Sequence, residues 1–306
     1  TVHALGYRIL DLKKGDDAVL STDDDDLWNL APEFREFQME ITPEEFPEMS
    51  RDDEDDVKYM DSFRKKLRNG VTALKRENCE LKELEAWIDE QSESDKSPSR
   101  IKKYKELCTY FEKYEKFMKE RGKIDFEDMV KNAITKLSKK GNESVLDYWR
   151  KKYEHIIIDE FQDNNYLQTK LGWLLSPKGH ITVVGDEDQC IYGFQGARVE
   201  NFEHFEDNFK SFTVGKKILR TNYRSTEEIV EKSSNLMNSV EGRVPKDLMA
   251  NKKNGKGDPP QVLDFTTEDE EFSFIAEKIR ELKGSISLDP EEREKAFGIL
   301  CRKNEG

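Results

Sequence analysis

Two short, uninterrupted apolar runs, His155-Ile156-Ile157-Ile158 and Ile181-Thr182-Val183-Val184, each lead into acidic residues, with one helix's length of sequence between them. Continuous apolarity, as opposed to alternation, predicts central strands covered on both faces by helices. With a helix expected from about Tyr166 to Leu175, the segment reads as a βαβ unit of a parallel sheet, and the fold class as α/β. A second α/β series is expected downstream. It comprises Lys217 to Leu219, a helix from Thr226 to about Asn238, a strand near Val262 to Phe265, a helix from Glu268 to Leu282, and Phe297 to Cys301. The Gly/Lys-rich tract Asn251 to Pro260 reads as a loop.

The N-terminal part has a different texture. An amphipathic stretch, Thr1 to Leu12, runs into Asp23-Asp24-Asp25-Asp26 and Asp52-Asp53-Glu54-Asp55-Asp56, with Pro32, Pro43 and Pro47 between them, which predicts an irregular, solvated insertion. From Met60, Phe63, Leu67, Val71, Leu74, Leu81, Leu84 and Ile88 recur at helical spacing and predict one long helix. Ser97-Pro98 opens a second, carrying Ile101, Tyr104, Leu107, Phe111, Tyr114 and Met118, so an antiparallel hairpin is expected. Asp125 is suited to cap a helix through about Lys139, which Gly141 ends, and a short helix follows around Val145 to Lys151.

Charge and cysteines narrow the partners and the compartment. The net charge of −14 argues against a nucleic-acid partner, yet residues 1–60 hold 18 Asp/Glu against 6 Lys/Arg, and residues 61–306 are nearly balanced at 47 against 45. No apolar run approaches the ~20 residues of a membrane helix, so no membrane partner is expected. Cys79, Cys108, Cys190 and Cys301 lie far apart without C-x-x-C spacing, which disfavours a zinc site or disulfide framework and points to a reducing cytoplasm.

Three segments carry chemistry. Ile158-Asp159-Glu160-Phe161-Gln162-Asp163 ends a strand in adjacent carboxylates at the carboxyl edge of a parallel sheet, where open α/β sheets bind ligands. There Asp159 can hold a hydrated Mg²⁺ and Glu160 can polarise the water that attacks a γ-phosphate; alternatively, both acids merely cap the next helix. The second strand leads into Gly185-Asp186-Glu187-Asp188-Gln189, whose Gln189 amide can sense a terminal phosphate. Tyr192 and Phe194, beside glycines, can stack on unpaired bases, worth about 1–3 kcal/mol per base, or can serve as core. The third segment, Leu219-Arg220-Thr221-Asn222-Tyr223-Arg224-Ser225, offers the Arg224 fork to phosphate and the Tyr223 face to a purine.

In this order, D-E-F-Q-D, V-G-D-x-D-Q-x-I-Y-G and L-x-x-N-Y-R-S resemble motifs II, III and IV of superfamily 1 DNA helicases of the UvrD/PcrA/Rep type. Collinear similarity runs from about Ile124 to the C-terminus. Thr1-Val2-His3-Ala4-Leu5-Gly6 also resembles the T-F-H segment after motif Ia, and Ile124-Asp125-Phe126-Glu127-Asp128 the L-D-F segment before motif II. The resemblance implies RecA-like P-loop NTPase lobes with parallel sheets and an α-helical insertion. Residues 1–14 and 124–213 would belong to the first lobe, 15–123 to an acidic and helical insertion, and 214–306 to part of the second lobe.

It further implies a motor that couples ATP hydrolysis to 3′-to-5′ movement on single-stranded DNA. The expected setting is cytoplasmic and nucleoid-associated, with single-strand/duplex junctions and repair or replication proteins as partners. Asp159 would coordinate Mg²⁺, Glu160 would be the catalytic carboxylate and belong to the same metal site, and Gln189 would sense the γ-phosphate. Tyr223 would stack on adenine and Arg224 contact the γ-phosphate. Tyr192 and Phe194 would stack on bases, with Thr1 and His3 near the DNA backbone. Gln195 stands where these helicases usually carry Arg, Phe194 where they carry Trp, and Asn164 where Thr is common.

The phosphate-cradling G-x-x-x-x-G-K-[S/T] loop is absent from the sequence, as are the family's later motifs. Truncation at both ends is therefore expected, with negligible ATP hydrolysis and poor solubility for these residues alone. Competing readings are a helicase-nuclease subunit of the RecB/AddA type, a non-catalytic DNA-binding remnant, and a metal-dependent phosphohydrolase using Asp159, Glu160 and Asp163.

Overall fold

A computed structural model describes residues 1–12, 19–20, 54–94, 98–176, 178–190, 202, 205–209, 212–240, 245–285 and 296–300. The chain divides into two units, Thr1–Lys216 and Lys217–Gly306.

In the first unit, Thr1 caps α1 (Val2–Leu10) through its side chain, and β1 (Val19–Leu20) lies within the stretch expected to be irregular. The single long helix expected over Met60 to Ile88 is two, α2 (Glu54–Arg76) and α3 (Leu81–Ser94). Asn78 adopts a left-handed φ of 55°. The Cys79 amide donates to the Leu74 carbonyl and the Asn78 amide to the Lys75 carbonyl, both at 2.9 Å, which is a Schellman stop. The apolar stripe runs on through this break, so periodicity alone could not reveal it. Helix α4 (Pro98–Glu120) packs against both, burying Leu67, Val71, Leu84, Ile88, Tyr110 and Phe111 in one core. Ser97, the expected cap, lies outside the described residues.

Strand β2 (Ile124–Asp125) pairs in parallel with β1 and leads into α5 (Phe126–Ser138), where Asp125 is the expected cap and forms a capping box with Asp128. Then come α6 (Glu143–Lys152), β3 (Ile156–Ile158), α7 (Tyr166–Leu175), β4 (Ile181–Val183) and the short α8 (Phe205–Asn208). Ile9, Val130, Ile134, Leu137, Trp149, Leu167 and Leu171 make a second core under this layer. Gly172 lets α7 approach β3, since a Cβ there would sit 2.9 Å from Ile158 Cδ1.

A buried charge cluster ties the insertion helices to β2 and α5. Lys75 of α2, only 5% exposed, places Nζ 2.6 Å from Asp125, 2.7 Å from Asp128 and 3.0 Å from Glu115 of α4. The Tyr114 hydroxyl donates to Asp125 at 2.9 Å, and Arg76 pairs with Glu127 at 2.9 Å. Burial works against the Lys75 charge, but Asp125, Asp128 and Glu115 more than offset it and its pKa is raised. Burial and then Asp125 push Asp128 up to about 6, against the opposing pull of Lys75.

The expected parallel pair is present: β3 and β4 run side by side with Ile156 opposite Ile181 and Ile158 opposite Val183. Its two faces differ, however. Ile156 packs against the second core, whereas Ile157 is 70% exposed and its neighbour Thr182 is also exposed. The expectation of helices on both faces therefore fails among the described residues, where the helices of the second core cover one side.

In the second unit, β5 (Thr221–Asn222) pairs in parallel with β6 (Met249–Ala250). The strand expected at Lys217 to Leu219 thus falls a few residues later, where the Asn251 and Met249 amides donate to the Asn222 and Arg220 carbonyls. Helices α9 (Glu227–Met237) and α10 (Glu268–Ser285) match expectation. Val262 to Phe265 forms no strand; Val262 is 93% exposed and no ladder partner lies beside it among the described residues. Residues 297–300 are likewise irregular.

Candidate functional site at the carboxyl edge of the parallel pair

Because β3 and β4 are parallel and in register, the residues leaving both strands emerge at one edge. The ladder continues briefly beyond them: the Val184 amide donates to the Ile158 carbonyl at 2.8 Å and the Phe161 amide to the Val184 carbonyl at 2.9 Å. Phe161 is fully buried, its ring edge-on to Phe202 and Phe205. It anchors the turn and leaves Asp159 and Glu160 exposed.

Glu160 turns the chain with a left-handed φ of 49°, a conformation costing on the order of 1 kcal/mol for a non-glycine residue. Local bonds hold it there. Its amide donates to Asp159 Oδ1 at 3.0 Å, its carbonyl accepts from Asn164 Nδ2 at 3.1 Å, and its Oε2 accepts from Gln162 Nε2 at 2.8 Å. Asn164, a departure from the helicase pattern, thus has a clear role in shaping the turn. Asp163 lies beside it, its carboxyl raised by burial and by the Glu160 charge.

On the neighbouring segment, Asp186 Oδ1 accepts from the Asp188 amide at 3.1 Å and Oδ2 from Gln189 Nε2 at 2.8 Å. Gln162 and Asp186 were not singled out in the sequence; the signal was the polar Gln162 lodged between aromatic and acidic neighbours. Gln162 is 1% exposed. Gly185 belongs to the same contact, since a Cβ there would strike Gln162 Oε1 and approach the Phe161 amide within 2.9 Å.

The remaining expected residues lie elsewhere. In the second unit Asn222 Oδ1 accepts from the Arg224 and Ser225 amides at 2.9 and 2.8 Å, folding the turn that leaves Tyr223 and Arg224 exposed. Thr1 Oγ1 accepts from the Ala4 amide at 3.2 Å, and the His3 ring lies 5.0 Å from that of Phe126, so both have local structural partners. Tyr192, Phe194 and Gln195 lie outside the described residues. Among the described residues no cluster of three His, Cys, Asp or Glu could cage a metal ion, and no helix is long and apolar enough to cross a membrane. The exposed Asp159 carboxylate nonetheless suits Mg²⁺, which is typically bound through one or two carboxylates, several waters and substrate phosphates.

A parallel pair that delivers two acids and a tethered amide to one edge defines a mixed α/β protein of the kind that binds ligands there. Residues 1–210 match the family of the UvrD/REP helicase N-terminal domain, and residues 218–306 the UvrD-like helicase C-terminal domain. The chain belongs to the UvrD/REP helicase family. It is 32% identical over 178 residues to DNA helicase II of Haemophilus influenzae, covering 58% of this chain and 24% of that protein. It is 33% identical over 193 residues to the ATP-dependent DNA helicase PcrA of Leuconostoc citreum, covering 62% and 24%. With PcrA of Staphylococcus epidermidis identity is 31% over 222 residues, covering 72% and 28%. The chain thus spans between about a quarter and a third of the curated relatives it matches.

Proposed function

We propose that this chain supplies part of the ATPase centre of a DNA helicase that moves 3′-to-5′ on single-stranded DNA. Its two units would be RecA-like lobes, the first carrying residues 15–123 as an insertion. The observation that carries the reading is the shared edge of β3 and β4, where Asp159, Glu160 and Gln189 emerge together, in a chain of this family. Bound Mg²⁺ would neutralise phosphate charge. Asp159 offers it a carboxylate, and Glu160, held by Gln162 and Asn164, orients the attacking water and accepts its proton. Gln189 senses the terminal phosphate, while Tyr223 and Arg224 take the adenine and phosphate charge. Tyr192 and Phe194 stack on DNA bases, and Thr1 and His3 lie by its backbone.

The test is translocation by the full-length protein on single-stranded DNA labelled at either end. ATP-dependent arrival at the 5′ end, delayed in proportion to strand length, supports the proposal; arrival at the 3′ end, or none, refutes it.

A further inference from the structure

An unbroken hydrogen-bonded path joins the two strand ends. Gln162 Nε2 donates to Glu160 Oε2 at 2.8 Å, Gln162 Oε1 accepts from the Asp186 amide at 3.0 Å, and Asp186 Oδ2 accepts from Gln189 Nε2 at 2.8 Å. The orientation of the Gln162 amide is dictated by its partners. A backbone N–H can only donate, so Oε1 faces Asp186 and Nε2 is left for the Glu160 carboxylate. No other neutral side chain of this length presents a donor and an acceptor from one planar group.

The surroundings reinforce the requirement. Gln162 is buried, so neither bond can be exchanged for water without cost. Gly185 is bare where the amide oxygen sits. The Cys190 thiol meets the Gln162 carbonyl at 3.7 Å, so the segment after β4 touches this residue twice. Among the described residues, the ionisable groups bonded to the path or beside it include Asp159, Glu160, Asp163, Asp186, Asp188 and Cys190, each negative when charged.

We infer that Gln162 is a positioning residue: it fixes the Glu160 carboxylate and transmits to it the conformation of the Asp186–Gln189 turn. A shift of Gln189 on engaging phosphate pulls on Asp186, whose amide carries the displacement through Gln162 to the group that orients water. This rests on Glu160 and Gln189 having the roles proposed above.

The test is steady-state ATP hydrolysis by the full-length protein with and without single-stranded DNA, comparing wild type with Gln162→Leu, Gln162→Glu and Glu160→Gln. Gln162→Glu keeps the shape and the acceptor for Asp186 but replaces the donor with charge facing Glu160. Both Gln162 variants are expected to lose about 10- to 100-fold in kcat, because the base is misplaced. Their KM for ATP should stay within about twofold of wild type, and their stimulation by DNA should collapse. A merely structural residue would lower the melting temperature and leave turnover per folded molecule and the DNA stimulation ratio unchanged. That result overturns the inference, as does failure of both variants to fold. If Glu160→Gln retains turnover, the reading of Glu160 fails instead; if it is inactive while both Gln162 variants behave as wild type, only the present inference fails.

Discussion

Replacing Lys75 with Met removes one charge from the cluster joining α2 to α5 while retaining an apolar stem of similar reach. The ammonium has three carboxylate partners within 3.0 Å, but Glu115 is half exposed and can turn to water. Asp125 and Asp128 are the groups left stranded. Breaking a buried pair from one side costs ~3–5 kcal/mol, and relief at Glu115 places this substitution at about 3–4 kcal/mol near pH 8.

The pH dependence follows from Asp128, whose folded pKa of about 6 lies above its ordinary 3.8. A raised carboxyl pKa means that the folded state binds the proton more tightly, so stability from this group grows as pH falls through the folded value. Without Lys75, whose charge pulls it down, Asp128 rises further. Acid should recover about 1.4 kcal/mol for each unit of that additional rise. Urea unfolding of the 306-residue chain, followed by far-ultraviolet circular dichroism at about pH 8 and about pH 5.5, measures both effects. A loss under about 1 kcal/mol at the higher pH, the size of an exposed pair, or a loss that deepens in acid, would refute this reasoning.

Other substitutions probe the turns that shape the site. Gly185→Ala should destabilise the first unit by about 1–3 kcal/mol through overpacking against Gln162 and Phe161, and an unchanged urea midpoint would contradict it. Asn78→Gly, at a left-handed φ, should stabilise by roughly 0.5–1 kcal/mol, whereas Asn78→Ala should destabilise by a similar amount; equal midpoints would refute the Schellman stop as a determinant. Asn222→Ala removes the acceptor for two amides, which should weaken ATP binding by the full-length protein about tenfold. Calorimetric titration showing unaltered affinity would separate that turn from nucleotide binding.

What the sequence revealed and what it hid divide by the range of the interactions. The β3–α7–β4 unit was legible because Ile156–Ile158 and Ile181–Val183 are local runs with a helix's length between them. The Asp125 cap was legible because its partner Asp128 is three residues away. Lys75 could not be read, because its partners Glu115, Asp125 and Asp128 lie 40 to 53 residues downstream and a lysine on an amphipathic helix ordinarily faces solvent. Exposure of Ile157 was hidden for a related reason: an apolar run specifies a preference for cover and not which elements provide it. Gln162 sat in plain view within D-E-F-Q-D, yet its importance depends on Asp186, brought alongside only by strand pairing.

The most direct measurement of the central claim is ATP turnover by the full-length protein and its Glu160→Gln variant, each with and without single-stranded DNA. The expected result is turnover stimulated by DNA in the wild type and reduced at least about 100-fold in the variant, with ATP binding retained. Turnover indifferent to DNA, or undiminished by loss of the Glu160 carboxylate, would contradict a motor centred on the carboxyl edge of β3 and β4.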